Sequence, residues 1–270
     1  MAADDFLRDR TALITGANGG IGSAITMALA DAGMHLLLQD HRQSSHELDL
    51  QHTALHAGAA TAELIHFDLA DPEASASGFA RIAATHQVDI LVNVAGIQRT
   101  APIGTMTRAT WDEVLAVNLS AAFDSMSACL PGMKERGFGR VINISSVHGL
   151  VASKEKAAYV SAKHGLIGLT KVAALECAQI GSAASGGVTV NAICPGWVQT
   201  PLIASQIQHY ADQHGGDHDA GVQALLREKE PSLRMTEPAE IAALSLFLCG
   251  RQAHNITGAA LTMDGGWTAV

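Results

Sequence analysis

Short apolar runs alternate with amphipathic stretches along nearly the whole chain, and the first run ends in a glycine-rich turn. The runs at 11–15, 36–38, 62–67, 88–92, 141–144, 188–193 and 259–263 have the length of strands. Helical patterns fill most of the gaps, notably from the glycine turn to residue 32, over 111–133 and over 157–180. Runs that are apolar at every position read as strands buried on both faces, and helices between them supply parallel crossovers. The pattern predicts an α/β fold with a parallel sheet covered on both sides. No repeat and no Pro/Ser-rich linker divides it, so one domain over 1–270 is the simplest reading. Two stretches fit less well. Residues 43–58 are polar, His-rich and only weakly periodic for a helix. Residues 200–232 form a long excursion between the sixth strand and the last helix, and such excursions are usually functional, often lids.

Composition narrows the function classes. An apolar share of 48% is ample for a core, and 26 glycines suit the tight turns of an alternating fold. The net charge of −9, with no basic run, argues against a nucleic-acid partner and means that local cations must overcome the global field if the ligands are anions. No apolar run reaches the roughly 18 residues of a membrane span, and the charged N-terminus lacks a signal-peptide core. Cys129, Cys177, Cys194 and Cys249 are scattered without metal-ligand spacing. They read as small apolar residues in a reducing compartment, so a cytoplasmic location, no membrane and no metal site are expected.

The glycine turn sits where a dinucleotide site belongs. Gly16, Asn18, Gly20, Ile21 and Gly22 directly follow the first strand and open the first helix. Glycines there let the backbone turn sharply, approach a pyrophosphate and pack on the sheet, although the spacing is GxxxGxG rather than GxGxxG. Asp40, at the end of the second strand, would accept hydrogen bonds from the adenosine ribose and repel a 2′-phosphate. That predicts NAD rather than NADP. Arg42, two residues on, is the one group that could accommodate such a phosphate.

Tyr159 and Lys163 lie four residues apart, on one face of the 157–180 helix. A cation one turn from a phenol favours the phenolate and should lower its pKa, which suits proton transfer to or from an alcohol oxygen. Ser146, at the end of the 141–145 apolar run, can face the same point.

Gly16/Gly20/Gly22, Asn93-Val94-Ala95-Gly96, Asn118, Ser146, Tyr159, Lys163 and Pro195-Gly196 occur in the order of the short-chain dehydrogenases/reductases, and the chain resembles that family over essentially its whole length. The resemblance implies a Rossmann-like, doubly wound sheet of seven parallel strands in a single domain. It implies a catalytic tetrad of Asn118, Ser146, Tyr159 and Lys163, with Asn118 holding a water beside Lys163. By the same resemblance Asp68 and Leu69 should flank adenine, and Asn93, Ala95 and Gly96 should line the adenosine ribose. Pro195, Val198 and Thr200, with Ile193, should meet the nicotinamide end. A homotetramer is implied too, with the 111–133 and 157–180 helices in an interface. Val94 departs from the more usual second Asn.

Four further residues cluster near the tetrad in sequence: Gln98, His148, Lys156 and Trp197. An amide, an imidazole, an ammonium and an indole suit a small carboxylate with a short apolar tail. The stretches that hold them, together with 228–233 and 264–267, resemble the branch of the family that interconverts D-3-hydroxybutyrate and acetoacetate. That resemblance makes Gln98, His148 and Lys156 carboxylate ligands, adds Gln206 from the lid and sets Trp197 against the substrate methyl. The departures lie at 39–42, which bears on cofactor choice, and in the insertion-like 181–187. The rival expectation is reduction of another carbonyl, such as a 3-oxoacyl thioester or a cyclic ketone. Asp40 and Lys156 argue against a thioester, and the presence of both Tyr159 and Lys163 argues against a non-enzymatic, cofactor-sensing role.

Overall fold

The computed structural model describes residues 6–41, 45–182 and 184–269. Seven strands form the sheet: β1 (Thr11–Thr15), β2 (His35–Asp40), β3 (Thr61–His66), β4 (Ile90–Asn93), β5 (Phe138–Ile144), β6 (Gly187–Pro195) and β7 (Ala260–Met263). All pair parallel in the order β3-β2-β1-β4-β5-β6-β7. The order reverses between β1 and β4, and that reversal opens a crevice beyond the strands' carboxyl ends. The fold expected from sequence is present, with β1 at its expected bounds and other strand ends moved by up to 3 residues.

The helices are α1 (Gly20–Asp31), α2 (Ser45–Ala57), α3 (Pro72–Thr85), α4 (Arg108–Leu115), α5 (Ala121–Arg136), α6 (Ala157–Cys177), α7 (Ala204–Gln213), α8 (His218–Lys229) and α9 (Pro238–Cys249). One apolar cluster joins α1 and α9 to the sheet through Ile14, Ile25, Leu29, Leu36, Ile142 and Ile241. A second lies on the opposite face, where Leu13, Phe79, Leu91, Met126, Met133 and Val141 meet. Strands buried this way on both faces account for the unbroken apolar runs. The 200–232 excursion folds into a 3₁₀ turn, Pro201–Ile203, and the antiparallel α7–α8 pair. Its apolar side (Ile203, Ile207, Leu225 and Leu226) packs against Val147, Trp197 and Trp267.

The 111–133 expectation needs two corrections. The helix starts at Arg108 and ends at Arg136, and a π-helical turn, Ala116–Ser120, separates α4 from α5. It is also long and apolar enough to cross a membrane, against the expectation that no segment is. Its apolar residues serve the core: Val114, Met126, Cys129 and Met133 are buried. Asn118 and Ser125 anchor it by hydrogen bonds to Ile97 and Asn93.

Candidate active site

β1 delivers the chain into the glycine turn, and each glycine there has its own reason. Gly16 adopts φ +61, and a Cβ on it would lie 2.8 Å from Ala95 Cα. A Cβ on Gly22 would meet Gly16 O at 2.2 Å, and one on Gly20 would meet Thr200 Cγ2 at 2.9 Å. Gly16 and Gly22 therefore close the turn on itself and on the β4 turn, while Gly20 keeps the start of α1 clear under Thr200. Thr15 Oγ1 ties the two turns together, accepting from Val94 N at 3.1 Å and Ala95 N at 3.3 Å.

Asp40 completes this cradle. Its Oδ2 accepts from Asn18 N at 3.2 Å, and its Oδ1 from His41 N at 2.7 Å and the His41 ring at 2.8 Å. A helix N-terminus without side chains in the way, next to a carboxylate at the end of β2, fits a dinucleotide. Arg42 lies outside the described residues. Asp68 is exposed and Leu69 buried, with Asp68 Oδ1 accepting from Ala70 N at 2.8 Å. The Asn93 side chain turns into the core instead of the crevice. Its Nδ2 donates to Asn143 Oδ1 at 2.9 Å, and its Oδ1 accepts from Ser125 Oγ at 2.8 Å. Ile193 is likewise a core residue, fully buried.

The groups expected to handle the proton meet at the carboxyl ends of β4 and β5. Ser146 follows β5, and Tyr159 and Lys163 project from the first two turns of α6 into the same cleft. The expectation that Lys163 lowers the Tyr159 pKa is not met in the protein alone. Burial pushes the phenol up to about 12, and only a hydrogen bond with Ser146 opposes it. Lys163 Nζ donates to Ile144 O at 2.8 Å and stands 5.6 Å from the tyrosine ring centre. Its own pKa is brought down to about 8 by burial. Desolvation is the leading cause for both groups, and neither acts measurably on the other.

Asn118 sits in the π-helical turn, and both ends of its amide are engaged by Ile97. Oδ1 accepts from Ile97 N at 2.8 Å, and Nδ2 donates to Ile97 O at 2.8 Å. The side chain thus fixes the Gly96–Gln98 turn. Gly96 is close-packed beneath it: a Cβ there would lie 3.4 Å from Asn118 Oδ1 and 3.6 Å from Lys163 Nζ.

The substrate side is a small cleft of about 90 Å³ that brings Gln98, Ser146, His148, Lys156, Tyr159 and Trp197 together. Ile21, Gly96, Lys163, Pro195, Val198 and Thr200 line its other side. Lys156 is the N-cap of α6, a position where the helix dipole disfavours a cation. Its Nζ donates to Gln206 Oε1 at 3.1 Å and lies 5.0 Å from the Trp197 ring centre. Burial lowers its pKa to about 8, against the pull of Glu228. His148 is pushed down to about 3, by burial first and Lys156 second, so it is neutral at pH 7. Its Nε2 pairs with Ser153 Oγ at 2.9 Å, and its Nδ1 lies 3.4 Å from Ser146 Oγ.

Sequence reasoning included 264–267 in the resemblance but gave no role to one wall of this cleft. Trp267 lines it, 5.4 Å from the ring centres of both His148 and Trp197. The signal was the Asp264-Gly-Gly turn before it. Asp264 accepts from Gly266 N at 3.1 Å and Thr268 N at 2.9 Å, and the two glycines take φ +59 and +92, which aims the indole inward.

Known proteins resemble this chain along nearly its whole length. The family model described as enoyl-(acyl carrier protein) reductase matches residues 16–268. The D-beta-hydroxybutyrate dehydrogenase of Cupriavidus necator is 41% identical over 98% of this chain and 100% of its own. The acetoacetyl-CoA reductase of Rhizobium meliloti is 34% identical over 95% of this chain and 98% of its own. Among solved structures, the L-sorbose reductase of Gluconobacter frateurii, complexed with NADPH and L-sorbose, superposes with a TM-score of 0.87 at 26% identity, covering 97% of this chain and 98% of that one. The chain belongs to the short-chain dehydrogenase/reductase family of oxidoreductases.

Proposed function

We propose that this chain is an NAD-dependent enzyme that interconverts D-3-hydroxybutyrate and acetoacetate. The observation that carries the reading is Lys156, a cation buried in a small cleft with Gln206 as partner and a neutral imidazole beside it. A buried ammonium calls for an anion. A four-carbon hydroxy acid supplies the carboxylate for Lys156, Gln98 and His148 and a methyl group for Trp197 and Trp267. Its oxygen then lies toward Ser146 and Tyr159. The 41% identity to a D-beta-hydroxybutyrate dehydrogenase supports the same substrate and hand.

The bound dinucleotide supplies the hydride acceptor or donor at its nicotinamide ring. Gly16, Asn18, Gly20, Ile21, Gly22 and Asp40 would hold its adenosine and pyrophosphate, with Asp68, Leu69, Ala95, Gly96 and, through its backbone alone, Asn93 around the adenosine end. Pro195, Val198 and Thr200 would hold the nicotinamide end. Tyr159 exchanges a proton with the substrate oxygen, and Ser146 stabilises the charge that develops there. The high pKa of Tyr159 keeps it a neutral acid ready for the reduction direction; oxidation requires that Lys163 draw closer and favour the phenolate. Asn118 positions the turn that holds Gln98. The α7–α8 pair acts as a lid, bringing Gln206 onto Lys156 and excluding water.

Asp40 supports NAD, since its carboxylate faces the glycine turn where a 2′-phosphate would be repelled. Exposed Phe123 on α5 and Val172 and Leu175 on α6 support a homotetramer with these helices at an interface. Four free, buried cysteines support a cytoplasmic location. The acetoacetyl-CoA reductase relative favours a second reading, reduction of a 3-oxoacyl thioester. A thioester has no free carboxylate for Lys156. NAD reduction measured with D- and L-3-hydroxybutyrate and with 3-hydroxybutyryl-CoA separates the two. Turnover of the D acid alone is expected, and faster turnover of the thioester with NADP would refute the assignment.

A further inference from the structure

Glu230 is a buried carboxyl that the chemistry above does not use. It stands at the exit of α8, 1% exposed, and the surrounding backbone is shaped to admit it. A Cβ on Gly196 would lie 2.1 Å from Glu230 Oε1, and a Cβ on Gly265 would lie 3.4 Å from Glu230 Oε2 and 2.3 Å from Ser232 Oγ. These two glycines each belong to a turn that carries a pocket tryptophan, Gly196 before Trp197 and Gly265 before Trp267. Glu230 Oε1 accepts from Trp197 N at 2.5 Å, and Ser232 N donates to Gly265 O at 2.9 Å. The lid's exit is therefore bonded to both turns. Two buried polar atoms at this junction, Glu230 Oε2 and Trp197 Nε1, have no partner.

We propose that Glu230 is a positioning residue: it fastens the exit of the lid behind Trp197 and Trp267 and so sets the substrate side of the cleft. The proposal rests on the reading of that cleft as the substrate pocket.

The fastening depends on pH. Burial, reinforced by Asp264, raises the Glu230 carboxyl to about 7, while the bond from Trp197 N opposes the rise. Asp264 is the charged group acting on it from a packed element; the turn around Trp197 brings only its backbone N–H. Opening would return the carboxyl toward its ordinary value of 4.5. Closed, it holds its proton more tightly than open. Closure is then fully favoured below the ordinary value and weakens as pH rises to about 7, where the loss is complete.

The test compares wild type with Glu230→Gln, which keeps the shape and the acceptor but cannot ionise, and with Glu230→Ala. Tryptophan fluorescence of the ligand-free protein should titrate in wild type with a midpoint near the carboxyl's raised value and stay flat in Glu230→Gln. KM for 3-hydroxybutyrate should rise at least about threefold between pH 5.5 and 7 in wild type and hold within about twofold in Glu230→Gln, with kcat alike in both. Glu230→Ala should raise KM about tenfold or more with a smaller effect on kcat, and Glu230→Gln should restore it. Identical titrations of wild type and Glu230→Gln would overturn the proposal. So would losses of kcat and thermal stability in Glu230→Ala without a change in KM. The fluorescence arm needs no substrate, so it decides the role of Glu230 even if 3-hydroxybutyrate proves to be the wrong ligand.

Discussion

Lys156→Ala isolates the interaction on which substrate assignment turns. Lys156 is 7% exposed, its ammonium donates to the neutral Gln206 amide, and Glu228 acts on it only through its field, so a substrate carboxylate would be a charged group in direct contact with it. A charge-assisted hydrogen bond in such a place contributes about 1.5–3 kcal/mol. At about 1.4 kcal/mol per decade, kcat/KM for 3-hydroxybutyrate should fall roughly 10- to 150-fold. A neutral hydroxyketone of similar size should lose far less, because it has no carboxylate to forfeit. The pH profile provides an internal check. Burial brings the lysine down to about 8, so the cation is present below that value and lost above it. Above pH 8, KM for the acid should therefore climb in wild type and show no such climb in Lys156→Ala, while over that same range KM for the neutral substrate stays level in both. Steady-state kinetics on the two substrates from pH 6 to 9.5 would measure this. Equal losses on both, or no loss on either, would refute carboxylate recognition by Lys156.

Other substitutions test other parts of the site. Tyr159→Phe should lower kcat by more than about a thousandfold with NADH binding retained, read by cofactor fluorescence, because general acid–base catalysis and its partner Ser146 both act through that oxygen. Asp40→Ala should weaken NAD and relieve repulsion of NADP, moving the ratio of the two kcat/KM values by on the order of 1–3 kcal/mol; a wild type that already prefers NADP would remove the role given to Asp40. Gly22→Ala should destabilise the protein by more than about 2 kcal/mol in denaturant unfolding, since its Cβ would fall 2.2 Å from Gly16 O, a backbone atom that cannot step aside.

Much of the architecture was legible because burial on both faces leaves an unambiguous mark. β1, β5 and β6 are buried at nearly every position and mostly apolar, and their order with the intervening helices leaves few topologies. The meeting of Tyr159 and Lys163 in one cleft was legible for a related reason: they are four apart on one helix, so helical geometry alone puts them together. Directions of side chains were less accessible. Asn93 follows an apolar strand and precedes a glycine turn, yet its amide faces Asn143 and Ser125, a choice made by residues 32 and 50 positions away. The Tyr159 pKa was misjudged for a similar reason. Spacing gives the distance to Lys163 along the helix, whereas burial and the Ile144 carbonyl that captures Lys163 come from β5. Trp267 and Glu230 lie in stretches that carry the family resemblance, yet the sequence assigns them no role, because their contacts depend on two distant turns meeting, which no local pattern encodes. The π-helical turn at Asn118 likewise has no period of its own to betray it.

The most direct measurement is a crystal structure of the protein with NAD and a non-reactive four-carbon carboxylate. The account predicts the carboxylate within hydrogen-bonding distance of Lys156 Nζ and of the Gln98 and His148 side chains. The reacting carbon should face the nicotinamide, its oxygen should lie between Tyr159 and Ser146, and the methyl should rest against Trp197 and Trp267. A carboxylate turned away from Lys156, toward solvent or toward the glycine turn, would contradict it.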